Sequence, residues 1–210
     1  MEIFVPKKVY KNLIKMLIYR GVEVKSEILA PDVIVQKLNH FEFITINGYR
    51  AASSMQGSAH IVIMLIAPMS KYSAKSADFK KLLKGLPKIP AGENLETIFV
   101  SKETLTIHIK KLLIVFREAN PKLIIDSYVY DNFMINVPKH VLVPAHSIAT
   151  LQEVSEYCHN YYTKKELFPR MRTDDVMAIW LGIRPGMVAK VIRESETAGE
   201  AVVFRICVRA

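Results

Sequence analysis

The run Ile61-Val-Ile-Met-Leu-Ile-Ala-Pro68 is the longest apolar stretch in the chain. It is far shorter than the ~20 residues that a membrane-spanning helix needs. With no alternation of apolar and polar positions, it reads as a strand, His60–Ala67, buried on both faces. Such a strand has to be covered above and below, which points to helices packed on either side of a sheet.

The flanking segments have the matching periodicities. Pro6 suits a first helical position, and Val9, Leu13, Met16 and Leu17 mark one face of a helix to about Arg20. A second helix follows Pro31, carrying Val33, Ile34 and Leu38. Phe41–Ile46 reads as a strand ended by the turn signal Asn47-Gly48. Beyond the buried strand, Ala74–Leu83 is helical in pattern and is stopped by Gly85 and Pro87. A strand at Thr97–Val100, a helix at about Glu103–Phe116 and a strand at Leu123–Tyr130 complete this part. In that helix Leu105, Ile109, Leu112, Leu113 and Phe116 share one side. Strands alternating with helices predict an α/β domain with a mostly parallel or mixed sheet and flanking helices. Its boundary falls near Asn136–Lys139, which divides the chain into domains 1–136 and 137–210.

The second part has a different grammar, that of a small α+β domain. Thr150-x-x-Glu153 is a capping box, followed by Val154, Tyr157, Cys158 and Tyr161 on one helical face. Thr163-x-x-Glu166 repeats the capping signal before Phe168-Pro169. Thr173, Asp174 and Asp175 put a cap and two acids at the start of a helix that turns Val176, Ile179 and Trp180 inward and ends at Gly182. Val188–Gly199 and Ala201–Val208 then read as a β-hairpin. Val188, Lys190 and Ile192 alternate with Ala189, Val191 and Arg193, while Val202, Phe204, Ile206 and Val208 share a face. Gly199 supplies the backbone freedom to reverse the chain.

Few enzyme classes find their residues here. The two cysteines, Cys158 and Cys207, form no Cys-x-x-Cys, so neither a zinc site nor a disulfide scaffold is expected. The six histidines lack metal-binding spacing, and His140 and His146 flank a Val-Leu-Val-Pro strand-and-turn suited to structural hydrogen bonds. No glycine-rich phosphate loop and no serine or cysteine nucleophile in a known context is present, so no catalytic residue, metal or cofactor is assigned. Asp32 and Asp78-Phe-Lys80 spell the parts of a metal-dependent nuclease site. That chemistry needs both acids at the ends of adjacent strands, and these fall in helical patterns. The N-terminus lacks a basic, apolar leader pattern, and no signal peptide is expected.

The charge is uneven. Residues 1–136 hold 19 Lys/Arg against 12 Asp/Glu, or +7 of the total +9. Lys71, Lys75, Lys80, Lys81, Lys84 and Lys88 crowd around a single acid, Asp78, and Lys102 lies between a strand and a helix. Either a solvated face or a phosphate-binding surface produces this pattern.

Read in order, His140-Val-Leu-Val-Pro-Ala-His146, Glu166-Leu-Phe-Pro-Arg-Met171, Asp174, Trp180-Leu-Gly-Ile-Arg-Pro-Gly186 and Arg193-Glu-Ser-Glu-Thr-Ala-Gly199 resemble the C-terminal domain of the fifth-largest subunit of eukaryotic-type RNA polymerases. The short archaeal counterpart of that subunit is the C-terminal domain alone. The resemblance is strong over about 137–210 and weak before it. Met171 stands where the family usually has isoleucine, Asp175 where it has Asp-Pro, and Pro185 where it has a basic residue. Such departures suit a divergent member, cellular or from a large DNA virus. The resemblance implies a non-catalytic subunit anchored on the largest polymerase subunit, with Arg170, Arg193, Ser195, Glu196, Thr197 and Gly199 as interface candidates. For the N-terminal domain it implies an α/β fold akin to some nucleases, part of a jaw around downstream duplex DNA. Lys80, Lys81, Lys84 and Lys102 are the candidate sequence-independent DNA contacts. Neither a membrane nor a homo-oligomer is expected as a partner, and the resemblance implies a location in the nucleus, or in the virion and host cytoplasm for a large DNA virus. Two other classes remain open, a free-standing DNA-binding transcription regulator and a degenerate nuclease.

Overall fold

The computed structural model describes residues 4–40, 43–53, 56–67, 76–87, 93–195 and 199–209. It divides into two compact units, Met1–Ala52 with Gly57–Met134, and Ser53–Gln56 with Ile135–Ala210.

The first unit runs α1 (Phe4–Tyr19), β1 (Glu23–Val24), α2 (Pro31–His40), β2 (Phe43–Arg50), β3 (Ala59–Ile66), α3 (Ser76–Lys84), β4 (Asn94–Ser101), α4 (Ile107–Ala119) and β5 (Leu123–Val129). Among the described residues the sheet order is β1-β2-β3-β4-β5. β1, β2 and β3 pair antiparallel, and β3, β4 and β5 pair parallel, so the sheet is mixed. Every residue of β3 except His60 is buried, because helices cover both faces of the sheet. On one face Val62, Met64, Leu95 and Phe99 meet Phe79, Leu82 and Leu83 of α3 and Ile109 and Leu113 of α4. The alternate residues Ile61, Ile63, Leu65, Ile98 and Val100 are buried on the other face, where α1 brings Val9, Leu13, Met16 and Leu17. Each such side chain contributes roughly 1.5–3 kcal/mol by leaving water. Asn12 Nδ2 donates to the Phe133 carbonyl (2.8 Å) and the Tyr130 hydroxyl to that of Ile66, tying the end of this unit to α1 and β3. The core also holds an ion pair, Arg50 Nη2 to Glu96 Oε1 at 2.7 Å.

Two expectations about this unit are corrected. Asn47-Gly48 is no turn, since β2 continues through it, with Asn47 opposite Val62 and Gly48 opposite Ile61. Glycine is required there for close approach. A Cβ on residue 48 would lie 2.5 Å from Val22 Cγ1 and 3.1 Å from the Glu23 carbonyl oxygen. The short strand β1, which crowds that position, has no periodicity of its own in sequence. Helix α4 begins at Ile107 rather than Glu103. Thr106, with extended backbone, is its N-cap, and Leu105 is buried from the preceding loop.

The second unit comprises β6 (Ala145–Ile148), α5 (Leu151–Asn160), β7 (Arg170–Arg172), α6 (Val176–Leu181), β8 (Val188–Ser195) and β9 (Gly199–Val208). The order is β6-β8-β9-β7, with β7 parallel to β9 and the other pairs antiparallel. One face packs Val188, Phe204 and Ile206 against Val154, Tyr157 and Cys158 of α5. The other packs Ala189 and Cys207 against Met177, Ala178 and Leu181 of α6. The capping box of α5 forms as expected: Thr150 Oγ1 accepts from Glu153 N, and Glu153 Oε2 from Thr150 N. Three details differ. Asp175, not Thr173, caps α6, accepting from Met177 N (2.8 Å) and Ala178 N (3.4 Å). Lys164, not Thr163, precedes the 3₁₀ turn Lys165–Leu167. The Val-Leu-Val-Pro stretch is not a strand, because Val141 and Leu142 stand in a turn, 97% and 84% exposed, and β6 starts beyond it.

Candidate subunit interface and nucleic-acid surface

Helix α3 aims Phe79, Leu82 and Leu83 at the core, which leaves Lys80, Lys81 and Lys84 in solvent. Lys81 Nζ lies 3.9 Å from Asp78 Oδ1. Lys80 and Lys84, one helical turn apart on the same side, form no ion pair among the described residues. Lys81 and Lys84 also sit in the last turn, where the helix dipole favours cations. Lys102 is exposed in the loop after β4, which Ser101 Oγ braces by donating to the Glu103 carbonyl (2.6 Å). A parallel crossover sends α3 back along the sheet, so Lys84 stands toward the start of β4 and Lys102 at its end. They form two positive points, not one cluster. Lys71, Lys75 and Lys88 lie outside the described residues.

The second unit separates its candidates in the same way. Arg193 is exposed opposite Ala201, and Ser195 lies opposite Gly199, on one face at the far end of the β8–β9 pair. Gly199 has φ +72°, with nothing within 4 Å of an added Cβ, so backbone conformation rather than crowding calls for glycine. Glu196 and Thr197 lie outside the described residues. Arg170 pairs in register with Ile206, five residues along β9 from the partner of Arg193. Five residues span about 17 Å and an odd count reverses the face. Arg170 and Arg193 therefore point to opposite sides of the sheet.

Several surface residues have no signal in the sequence. Arg172 makes a two-pronged contact with Asp174, at 2.9 and 2.7 Å, which holds that carboxyl below its ordinary range. Lys190 Nζ contacts Glu153 Oε1 at 2.7 Å. That ammonium, with the Thr150 N–H, lowers the Glu153 carboxyl. Glu194 and Glu200 face each other across β8 and β9, an exposed like-charge pair. Cross-strand and tertiary pairs of this kind depend on register, which spacing along one strand does not reveal.

The enzyme-like string does not assemble. Asp32 is on α2, accepting from Lys7 Nζ at 3.3 Å and 91% exposed. Asp78 is on α3, across the sheet. Among the described residues no three His, Cys, Asp or Glu side chains gather as a metal site. His146 Nδ1 lies 2.7 Å from the Pro144 carbonyl and His140 Nδ1 accepts from Leu142 N, the structural bonds expected of both. Burial pushes the Cys207 thiol up, away from nucleophilic use.

The ordered motifs fall on β7, α6 and the β8–β9 pair of the second unit. Residues 135–207 match the family described as RNA polymerase Rpb5, C-terminal domain. The chain is 26% identical to the DNA-directed RNA polymerase RPB5 homolog of African swine fever virus (isolate Tick/South Africa/Pretoriuskop Pr4/1996), over 97% of this chain and 98% of the relative. It is 32% identical to the DNA-directed RNA polymerases I, II, and III subunit rpabc1 of Dictyostelium discoideum, over 53% and 56% of the two chains. With subunit RPABC1 of Caenorhabditis elegans it shares 36% over 42% of each. The similarity to the viral relative includes the first unit, which lies outside the match to the family.

Proposed function

We propose that this chain is a non-catalytic subunit of a multisubunit DNA-dependent RNA polymerase. Its second unit anchors it on the largest subunit, and its first unit, with the nuclease-like fold the resemblance implies, reaches toward downstream duplex DNA. The observation that carries the reading is the near end-to-end similarity to a polymerase subunit, together with the Rpb5 C-terminal domain at residues 135–207. In this reading the polymerase is the enzyme and nucleotide addition belongs to its other chains.

The geometry supports a division of labour. A small unit of about 75 residues buries only ~60% of its unfolded surface and gains stability from a partner. Its Arg193–Ser195 strand end and Arg170, on opposite faces of one sheet, offer the largest subunit two separate contacts. The lysines of the first unit need no fixed geometry, because phosphate contact requires only mobile positive charge and carries no sequence information. The compartment follows the enzyme: the nucleus for a cellular polymerase, the virion and host cytoplasm for a viral one.

The test is affinity purification of the tagged full-length chain. The polymerase core should co-elute, and Arg193→Glu should reduce its recovery. A chain that binds DNA yet brings down no polymerase subunit would be a free-standing regulator.

A further inference from the structure

The turn that ends α5 places an aromatic residue where the backbone calls for glycine. Thr163 N donates to the Cys158 carbonyl (3.0 Å) and Tyr162 N to that of His159 (3.4 Å). This is the Schellman arrangement, whose first residue beyond the cap takes left-handed backbone and is most often glycine. Helix α6 ends with the same two spans, Ile183 N to Ala178 O and Gly182 N to Ile179 O, and there the left-handed residue is Gly182, at φ +66°. At α5 it is Tyr162, at φ +49°, the one non-glycine residue with positive φ among those described. A side chain in this conformation is strained. Its own chain offers the ring no cover, for Tyr162 is 96% exposed.

The residues around it share that exposure. Tyr161 is 66% and Leu167 73% exposed, and Lys164, Lys165 and Glu166 are exposed, two cations against one acid, the lysines with no ion pair among the described residues. The loop is nevertheless held firmly at both ends. The Tyr161 ring lies 4.4 Å from that of Tyr157, which contacts Phe168 at 5.5 Å and Phe204 at 4.7 Å. An apolar and basic surface, fixed in place before anything binds, loses little freedom on docking.

We propose that Tyr161–Leu167 is a docking surface for a polypeptide segment of another polymerase chain, one carrying apolar and acidic side chains. Tyr162, Tyr161 and Leu167 take the apolar groups, and Lys164 and Lys165 meet the carboxylates. A nucleic acid would use the rings and lysines but gain nothing from Leu167, so the protein segment is favoured. The proposal rests on the reading of the chain as a polymerase subunit, and adds a contact distinct from Arg170 and the Arg193–Ser195 strand end.

The experiment compares the full-length chain with its Tyr162→Gly and Lys164→Glu/Lys165→Glu variants, measuring thermal unfolding of the free chain, capture by the polymerase core and binding to duplex DNA. Tyr162→Gly should raise the unfolding midpoint by about 2–4 °C as strain is relieved, yet weaken capture by about tenfold or more. A structural role for the ring could not move the two readouts in opposite directions. The double reversal should also weaken capture. Capture equal to wild type in either variant overturns the proposal, as does a fall in stability with Tyr162→Gly, which would mean the ring packs at home. Loss of DNA binding with unchanged capture reassigns the surface to nucleic acid. If the wild-type chain is not captured at all, the polymerase reading itself fails, a separate result.

Discussion

Replacing Lys80 and Lys84 with glutamine would remove two positive charges from one side of α3 while leaving Phe79, Leu82 and Leu83 packed. Glutamine has nearly the helix propensity of lysine, so the helix should persist. If both lysines touch phosphates, each contributes about −0.9 to the slope of log K against log salt for duplex DNA, and the variant should be shallower by about 1.8. At about 0.15 M salt the counterions released by each contact are worth roughly 0.7 log units, near 1 kcal/mol, so the pair should weaken binding about thirtyfold. Lys81→Gln is the internal control. Asp78 stands 3.9 Å from Lys81 and already offsets its charge, so its effect should be smaller. Anisotropy titrations of the full-length chain with duplex DNA, at several salt concentrations between about 50 and 200 mM, measure the slope directly. The same substitutions in assembled polymerase should make elongation complexes fall apart at lower salt without reducing subunit recovery. Parallel slopes for wild type and the double variant would refute the reasoning and leave these lysines as a solvated face.

Asp175→Ala removes an acceptor for two backbone N–H groups at the start of a buried helix and should cost about 1 kcal/mol in denaturant unfolding, with Asp175→Asn close to neutral. The Glu153 carboxyl, lowered first by the Lys190 ammonium and then by the Thr150 N–H, contributes stability that is complete above its unfolded value of about 4.3 and is lost as pH falls below it. Glu153→Gln should therefore flatten the acid side of the stability profile, and an unchanged profile would show that the contact contributes nothing.

Local chemistry determined much of this protein in advance. The apolar run at β3, the 3.6-residue stripe of α1 and the Thr150–Glu153 box each depend on neighbours a few positions away, so each was legible in the sequence. So were the alternating strands of β8 and β9 and the ordered motifs within residues 135–207, the stretch that matches the family. What the tertiary structure alone decided involves residues distant in sequence. Gly48 has the spelling of a turn, yet lies within β2 opposite Ile61, and it is glycine because Val22 and Glu23 crowd its backbone. Thr173 and Asp175 are both credible caps, and the pairing of β7 with β9 sets which one precedes the first helical turn. Leu105 fits the helical period of α4 but reaches the core from the loop before it. The candidate site divides on the same line. Arg170 and Arg193, or Lys84 and Lys102, are candidates whose spacing the sequence leaves open, and strand register and crossover direction place each pair apart. Tyr162 shows the limit most clearly, since nothing in Tyr-Tyr-Thr predicts left-handed backbone. Its backbone is set by the hydrogen bonds that close α5, Thr163 N to the Cys158 carbonyl and Tyr162 N to that of His159, which only the folded chain brings together.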